Sequence, residues 1–293
     1  NNDVTPEDNL KALDVLKSLP ESEKRFSVLL GGDILYYKDR FNFISKMNEL
    51  NLPYAFQTCA HDYKRMEEIL PIISNLSISF DGDSRERDRY LKMIKGIYWA
   101  GRARQLNPNM DIHATITIDS VTLHNVVETV KILSDLNIWA EITFSHYQKG
   151  TFDLVPDSKY IPHNYLSSSL KEVSQNLVNM KKQGYMIHNS IRFLESFPMY
   201  VKELNWKCKG PTSLVIDADL SLRMCLHLKG KRIAKWNVFD LVKKGWESTL
   251  IDYRMDWYED FKELCPGCFW DCAYDLENSM SMDQAIDFVM HKG

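Results

Sequence analysis

No stretch of this chain stays apolar for anything near the ~18 residues that a membrane-spanning helix needs. No charged-then-apolar leader pattern opens it. An excess of charge of one sign is lacking too. Lys and Arg number 36 against 40 Asp and Glu, a net −4, so nothing draws the whole chain to nucleic acid or to an anionic membrane. No internal repeat and no low-complexity tract occurs. Cysteine is scarce: six in 293 residues is too few for a secreted disulfide scaffold. Together these absences predict a cytoplasmic globular protein with no nucleic-acid and no membrane partner. An initiating Met is also lacking, since Asn1, Asn2 and Asp3 run straight into a helix start. Residues upstream of Asn1 are therefore expected.

What is present is enough to fold a large core. Hydrophobic residues make up 44% and aromatics 12%. Thr5-Pro6-Glu7-Asp8 reads as an N-cap, a proline at the first helical position and an acidic first turn. Leu10, Leu13, Leu16 and Leu19 follow on one helical face. Short apolar runs at 25–30, 53–58, 76–80, 111–118 and 138–144 read as strands. Helical patterns at 36–50, 62–71, 86–105 and 122–136 separate them. Repeated βα units imply a parallel sheet with helices outside. The strands read as mostly apolar on both faces, as buried parallel strands are. Ligands of such sheets lie beyond the C-terminal strand ends. Here those ends are small and polar: Gly31-Gly32-Asp33, Thr58-Cys59, Ser79 to Asp81, Thr117 to Asp119 and Ser145-His146. A polar ligand is expected there. Tyr36-Tyr37 and His146-Tyr147 flank the same ends, whereas His61, His113, His188 and His227 show no ligand spacing.

Past residue 150 the pattern changes. A loop with Gly150 and two prolines leads to an amphipathic helix over 165–184, ending at Gly184. Residues 212–225 read as a hairpin around an Asp-Ala-Asp turn. Five of the six cysteines fall in this last third: Cys208, Cys225, Cys265, Cys268 and Cys272. Cys208 precedes the hairpin and Cys225 ends it, so folding back brings the two together. Cys265 and Cys268 form a C-x2-C pair around Pro266-Gly267. Four converging thiolates suit Zn²⁺ or a [4Fe–4S] cluster, and spacing does not separate the two. Cys272 is then spare or an alternative ligand.

These pieces, in this order, resemble the radical S-adenosylmethionine (radical SAM) enzymes that carry a C-terminal SPASM or twitch auxiliary-cluster domain. "VLLGGDILYYKD" resembles their glycine-rich second-strand end, "YAFQTCAHD" their third strand and "LSISFDGDSRERDRYLK" their fourth. "TITIDSVTLHNVVETVKILSDLNIWAEITF" resembles the strand–helix–strand that follows. C-x16-C, a gap of 39 residues and C-x2-C resembles the twitch pattern. The resemblance covers about residues 1–275. It implies an α/β fold: a partial (β/α)6 TIM-like barrel over 1–150, connecting helices over 151–205 and a small auxiliary-cluster domain over 206–293.

The resemblance further implies S-adenosylmethionine contacts at Gly31, Gly32, Asp33, Ser79, Asp81 and Thr117. It implies an auxiliary [4Fe–4S] cluster on Cys208, Cys225, Cys265 and Cys268, with Cys272 as the alternative. Two departures stand out. Asp33 replaces the family's glutamate and its following proline is missing. The C-x3-C-x2-C loop that binds the catalytic cluster is absent, and is expected upstream of residue 1 together with the first strand. The implied activity is hydrogen-atom abstraction by a 5′-deoxyadenosyl radical from a small sugar-like or alcohol-like molecule, or from a peptide. Dehydrogenation, epimerisation or crosslinking follows, with flavodoxin or ferredoxin as electron donor. Cys59 at a strand end is a candidate hydrogen-atom donor for epimerisation. The alternative is a non-catalytic iron–sulfur or zinc-binding relative that serves as a partner subunit.

Overall fold

The computed structural model describes residues 4–19, 27–29, 34–52, 54–80, 86–118, 122–144, 167–203, 215–217, 219–223, 236–242, 252 and 274–275. Among them the five expected strands all form: β1 (Ser27–Leu29), β2 (Tyr54–Thr58), β3 (Asn75–Ser79), β4 (Asp111–Ile118) and β5 (Trp139–Phe144). They pair in parallel and in chain order. The helices between them are α2 (Arg40–Glu49), α3 (Tyr63–Ile69), α4 (Glu86–Leu106) and α5 (Val126–Asp135). The helix expected over 36–50 is in fact two pieces. A 3₁₀ turn at Ile34–Tyr36 precedes α2, which starts only at Arg40. The helix expected from 122 starts at Val126, after a turn.

Before the sheet comes α1 (Pro6–Lys17), whose start matches the sequence reading. Asp8 N–H donates to Thr5 Oγ1 at 3.2 Å, and Thr5 N–H donates back to the Asp8 carboxylate at 3.0 Å. This reciprocal capping box satisfies two donors that the first turn leaves open. Leu13 faces the main core, while Ala12 and Leu19 enter a second apolar cluster. Leu220, Leu222, Val238 and Leu241 complete that cluster. Its hairpin is β6 (Val215–Ile216) against β7 (Leu222–Arg223), antiparallel as expected. Leu220 takes φ +62°, an uncommon left-handed setting for a leucine, and its side chain is buried. α1 therefore joins the sheet body to the hairpin, two regions far apart in sequence.

Two helices follow β5: α6 (Ser167–Lys182) and α7 (Ile191–Glu203). Gly184 at φ +92° ends α6, where only glycine is free of strain. The segment between the helices lies along β5. Ala140 N–H donates to Met186 O, and His188 N–H donates to Ala140 O, both at 2.8 Å. Residues 186–189 thus extend the sheet past β5, a feature the sequence pattern did not show.

The sheet faces differ, which corrects the expectation of strands apolar on both sides. Phe56, Leu76, Ile78, Ile112, Ala114, Ile116, Ala140 and Ile142 share one mainly apolar face and are buried, as is Thr58 on the same face. Phe80 continues it towards α4, and Phe144 continues it towards Phe193 and Phe197 of α7 at 6.1 and 4.8 Å between rings. A Cβ placed on Gly96 of α4 would stand 2.8 Å from the Phe80 ring. Gly96→Ala is therefore expected to lower stability by about 1–3 kcal/mol through overpacking, against a helix-propensity gain of about 1 kcal/mol. Urea unfolding checks this, and a raised midpoint would contradict the close approach.

Candidate functional site

Strand alternation turns every second residue to the opposite face. The parallel register lines those residues up in rows. Gln57 pairs with Ser77, Ser77 with His113 and His113 with Trp139. One level nearer the C-terminal ends, Ser79 pairs with Thr115 and Thr115 with Glu141. Thr117 pairs with Thr143 at the next level. This face is polar in every row, while the helices cover the other. Ser77 and His113 are buried, and the rest of these residues are half-buried. Buried polar side chains need partners. Thr115 Oγ1 finds one in Glu141 Oε2 at 3.3 Å. Such a surface suits a hydrogen-bonding ligand and is poorly suited to an apolar one.

Ser79 and Thr117, two of the expected cofactor contacts, lie on this face, on neighbouring strands and near their C-terminal ends. The Thr117 carbonyl accepts from Thr122 Oγ1 at 2.8 Å, which pins the turn leading to α5. Gly31, Gly32, Asp33 and Asp81 lie outside the described residues. Cys59 follows β2 directly and is half-buried. Its neighbour Ala60 is fully buried at φ +53°, and Ala60 N–H donates to Thr58 Oγ1 at 2.9 Å. That bond explains why a threonine can be buried at the end of β2. It also turns the chain sharply at Cys59. The left-handed setting of a non-glycine residue costs roughly 1–2 kcal/mol, so the rest of the fold holds this turn in place.

The edge of the sheet beyond β5 carries a second polar group of residues. Asn189 is almost completely buried and pairs with Ile142 through its side chain. Its Oδ1 accepts from Ile142 N–H at 2.6 Å, and its Nδ2 donates to Ile142 O at 2.8 Å. A side-chain amide here replaces the backbone of a further strand. His188 lies next to it, and its ring meets the His113 ring edge-on at 5.4 Å between centroids. Lys181 of α6 donates to Ile187 O at 2.6 Å. Asp275 then closes this edge. Its carboxylate accepts from Ser190 N–H at 3.1 Å and from Ser190 Oγ. Ser190 Oγ in turn accepts from Phe193 N–H at 2.9 Å, capping α7. Tyr274 donates to Ser196 Oγ at 2.7 Å and packs edge-on against Phe193.

Tyr274 and Asp275 come just after the last cysteine, Cys272. These two residues are themselves tied to the start of α7. Burial pushes the Asp275 carboxyl up to about 6, against the two Ser190 hydrogen bonds and Lys181, which pull it down. Glu141 adds to the upward push. Burial also lowers the Lys181 ammonium, which Asp275 partly offsets.

Sequence spacing assigned nothing to His113, His188, Glu141, Asn189 or Asp275. Glu141 was readable in principle, as a charge alternating with Ala140 and Ile142 in an otherwise apolar strand. The His113–His188 contact and the two-residue anchor were not, because each joins residues distant in the chain. Cys208, Cys225, Cys265, Cys268 and Cys272 lie outside the described residues. Among the described residues, no group of three or more metal-ligating side chains comes together. No helix among them is long and apolar enough to cross a membrane.

No family model matches the chain, and no curated protein matches it by sequence. Solved structures do. Native anSMEcpe with bound AdoMet aligns at 15% identity and a TM-score of 0.51, over 99% of this chain and 92% of that one. The chain shares the anSMEcpe fold. The same protein with bound AdoMet and Cp18Cys peptide aligns at 14% identity and a TM-score of 0.54, over 99% and 90%. anSMEcpe is a radical SAM enzyme with a SPASM domain. The fold likeness expected from the sequence motifs is thus found, and identity this low carries the fold alone.

Proposed function

We propose that this chain acts as a radical SAM enzyme on a polar small molecule or peptide segment. The observation that carries the reading is the polar sheet face, with Ser79 and Thr117 one level apart on neighbouring strands near its C-terminal end. Its support is the shared fold with a protein solved with AdoMet and with a peptide. Ser79 and Thr117 hydroxyls would hold S-adenosylmethionine, together with Gly31, Gly32, Asp33 and Asp81. When bound beside a reduced [4Fe–4S] cluster, this cofactor supplies a 5′-deoxyadenosyl radical that takes a hydrogen atom from substrate.

This chain's own residues orient and shield. The hydroxyl rows of β3, β4 and β5 fix the polar end of the ligand, and the apolar face behind them keeps the sheet rigid. Cys208, Cys225, Cys265 and Cys268, with Cys272 as the alternative, would hold an auxiliary cluster that accepts an electron from the substrate radical. Net oxidation or crosslinking follows from that arrangement. An electron carrier such as flavodoxin or ferredoxin would serve the catalytic cluster. Cys59 is the residue that separates oxidation from epimerisation, because its thiol can return a hydrogen atom.

The test is anaerobic purification of the natural full-length protein. Two clusters give about eight irons per chain, one gives about four. Dithionite reduction with S-adenosylmethionine should release 5′-deoxyadenosine and methionine. Zinc without iron, or no cleavage from fully loaded protein, would sink the proposal. Cys59→Ala is expected to leave cofactor cleavage within about twofold of wild type. An epimerase would lose product at least 100-fold in that variant, the loss typical of a missing proton or hydrogen donor. An oxidase would keep its product.

A further inference from the structure

The polar face of the sheet holds one acid well inside its rows. From the Ser77–His113–Trp139 row to the Thr117–Thr143 row, Glu141 is the one carboxylate among the described residues, and no lysine or arginine stands in these rows. Asp111, another acid on this side of the sheet, is exposed at the opposite, N-terminal end of β4. Within β5, Trp139, Glu141 and Thr143 alternate with the buried Ala140, Ile142 and Phe144. A half-buried carboxylate gives up hydration that a threonine in its place would not lose. Thr115 Oγ1 donates to Glu141 Oε2 at 3.3 Å and holds the group from the β4 side.

The other side of Glu141 is equally defined. Ile187 bridges Ala140, so His188 falls on the polar side beside Glu141. β4 and the 186–189 segment flank β5, so the His113 and His188 rings, edge-on at 5.4 Å, meet over it. The carboxylate thus stands among hydrogen-bonding groups from three neighbouring stretches of chain. Lys181 of α6, at the same sheet edge, is committed elsewhere. It donates to Ile187 O at 2.6 Å, and Asp275 supports its charge.

Position and charge together narrow what binds. Ser79, Thr115 and Glu141 form a single row. Strands lie about 4.8 Å apart, so Glu141 stands roughly 10 Å across the sheet from Ser79. That places it on the side away from β1 and β3, where cofactor contacts are proposed. A carboxylate among hydroxyls favours a cation over a neutral or anionic group, and a half-buried face strengthens the preference. Ammonium and guanidinium groups also bring several N–H donors to a carboxylate. We propose that Glu141 is the specificity-determining residue of this face, and that the substrate it selects carries an ammonium or guanidinium group. This rests on the enzymatic reading of the face.

The experiment uses the natural full-length protein, with n-butylammonium as the cationic probe and n-butanol as its neutral counterpart. Titrations are followed by NMR on the His113 and His188 ring signals. Butylammonium should shift both signals to saturation, and butanol should bind about tenfold more weakly or worse. E141Q should weaken butylammonium binding about ten- to a hundredfold and leave butanol binding unchanged. Glu141→Asp, which keeps the charge on a shorter arm, should restore part of the selectivity. The wild-type comparison of the two probes stands even if E141Q fails to fold. Equal binding of both probes, or butylammonium binding that E141Q leaves intact, refutes the proposal. Displacement of butylammonium by S-adenosylmethionine would also overturn it, since Glu141 would then hold the cofactor's own amino group. If fully loaded wild type fails to cleave S-adenosylmethionine, the enzymatic reading falls, whereas probe selectivity alone decides the cation site.

Discussion

Replacing Asn189 by Leu is expected to destabilise the protein by about 3–5 kcal/mol, the largest single-residue effect anticipated outside the cysteines. Leu keeps the branched skeleton, though it is bulkier, and removes both hydrogen bonds to Ile142. Ile142 is fully buried, so its N–H and C=O are left without partners and without water. Each orphaned group costs about 1–3 kcal/mol. Asn189→Asp separates the two halves. Its carboxylate still accepts from Ile142 N–H but faces Ile142 O with another acceptor. Urea unfolding gives the totals, and hydrogen exchange at the Ile142 amide gives the local effect. Fast exchange at that amide is expected in the Leu variant. Unchanged exchange there, with a loss under 1 kcal/mol, would mean that the amide does not complete the sheet edge.

The second large effect depends on pH. The Asp275 carboxyl is pushed up to about 6 by burial, from a usual value of 3.8. The folded protein therefore keeps this proton where the unfolded chain has released it. Stability from this group is fully present below the unfolded value, is lost as pH rises through the folded one, and declines across about pH 4 to 6. A shift of this size corresponds to about 3 kcal/mol between pH 4 and pH 7. The groups around it fix the sign. Ser190 at the start of α7 and Lys181 of α6 favour the ion, and Glu141 of β5 opposes it. Asp275→Asn cannot titrate, so its stability should fall less than that of wild type over this range. Other carboxylates cancel in the comparison. Parallel pH profiles for the two proteins would show that Asp275 is not held protonated.

Much of this architecture was legible in the chain itself. Local signals decided it: Thr5 and Asp8 three residues apart for a capping box, Gly184 for a helix end, and short β-branched runs between helical periods for parallel strands. These signals act within a few residues, so one sequence suffices to read them. The hairpin at 215–223 was legible for the same reason, as was the placing of Ser79 and Thr117 at strand ends. The two-faced sheet was harder. Ser77, Thr115 and Thr117 alternate with isoleucines and alanines, yet hydroxyls are common in strands and left the period weak.

The tertiary structure decided what joins distant residues. Side-chain pairing of Asn189 with Ile142 spans 47 positions, and the hold of Asp275 on Ser190 spans 85. The sequence carries no period for such contacts, because loop closure sets no fixed spacing. Alone, Asp275 reads as one more surface acid after a cysteine run. Its burial against α7 and Glu141 makes it a titrating anchor. The sequence by itself determined a parallel α/β fold with polar strand ends and a cysteine-rich tail. The chain's long-range closure decided which polar groups meet, since burial and hydrogen bonding act through space and are indifferent to separation along the chain.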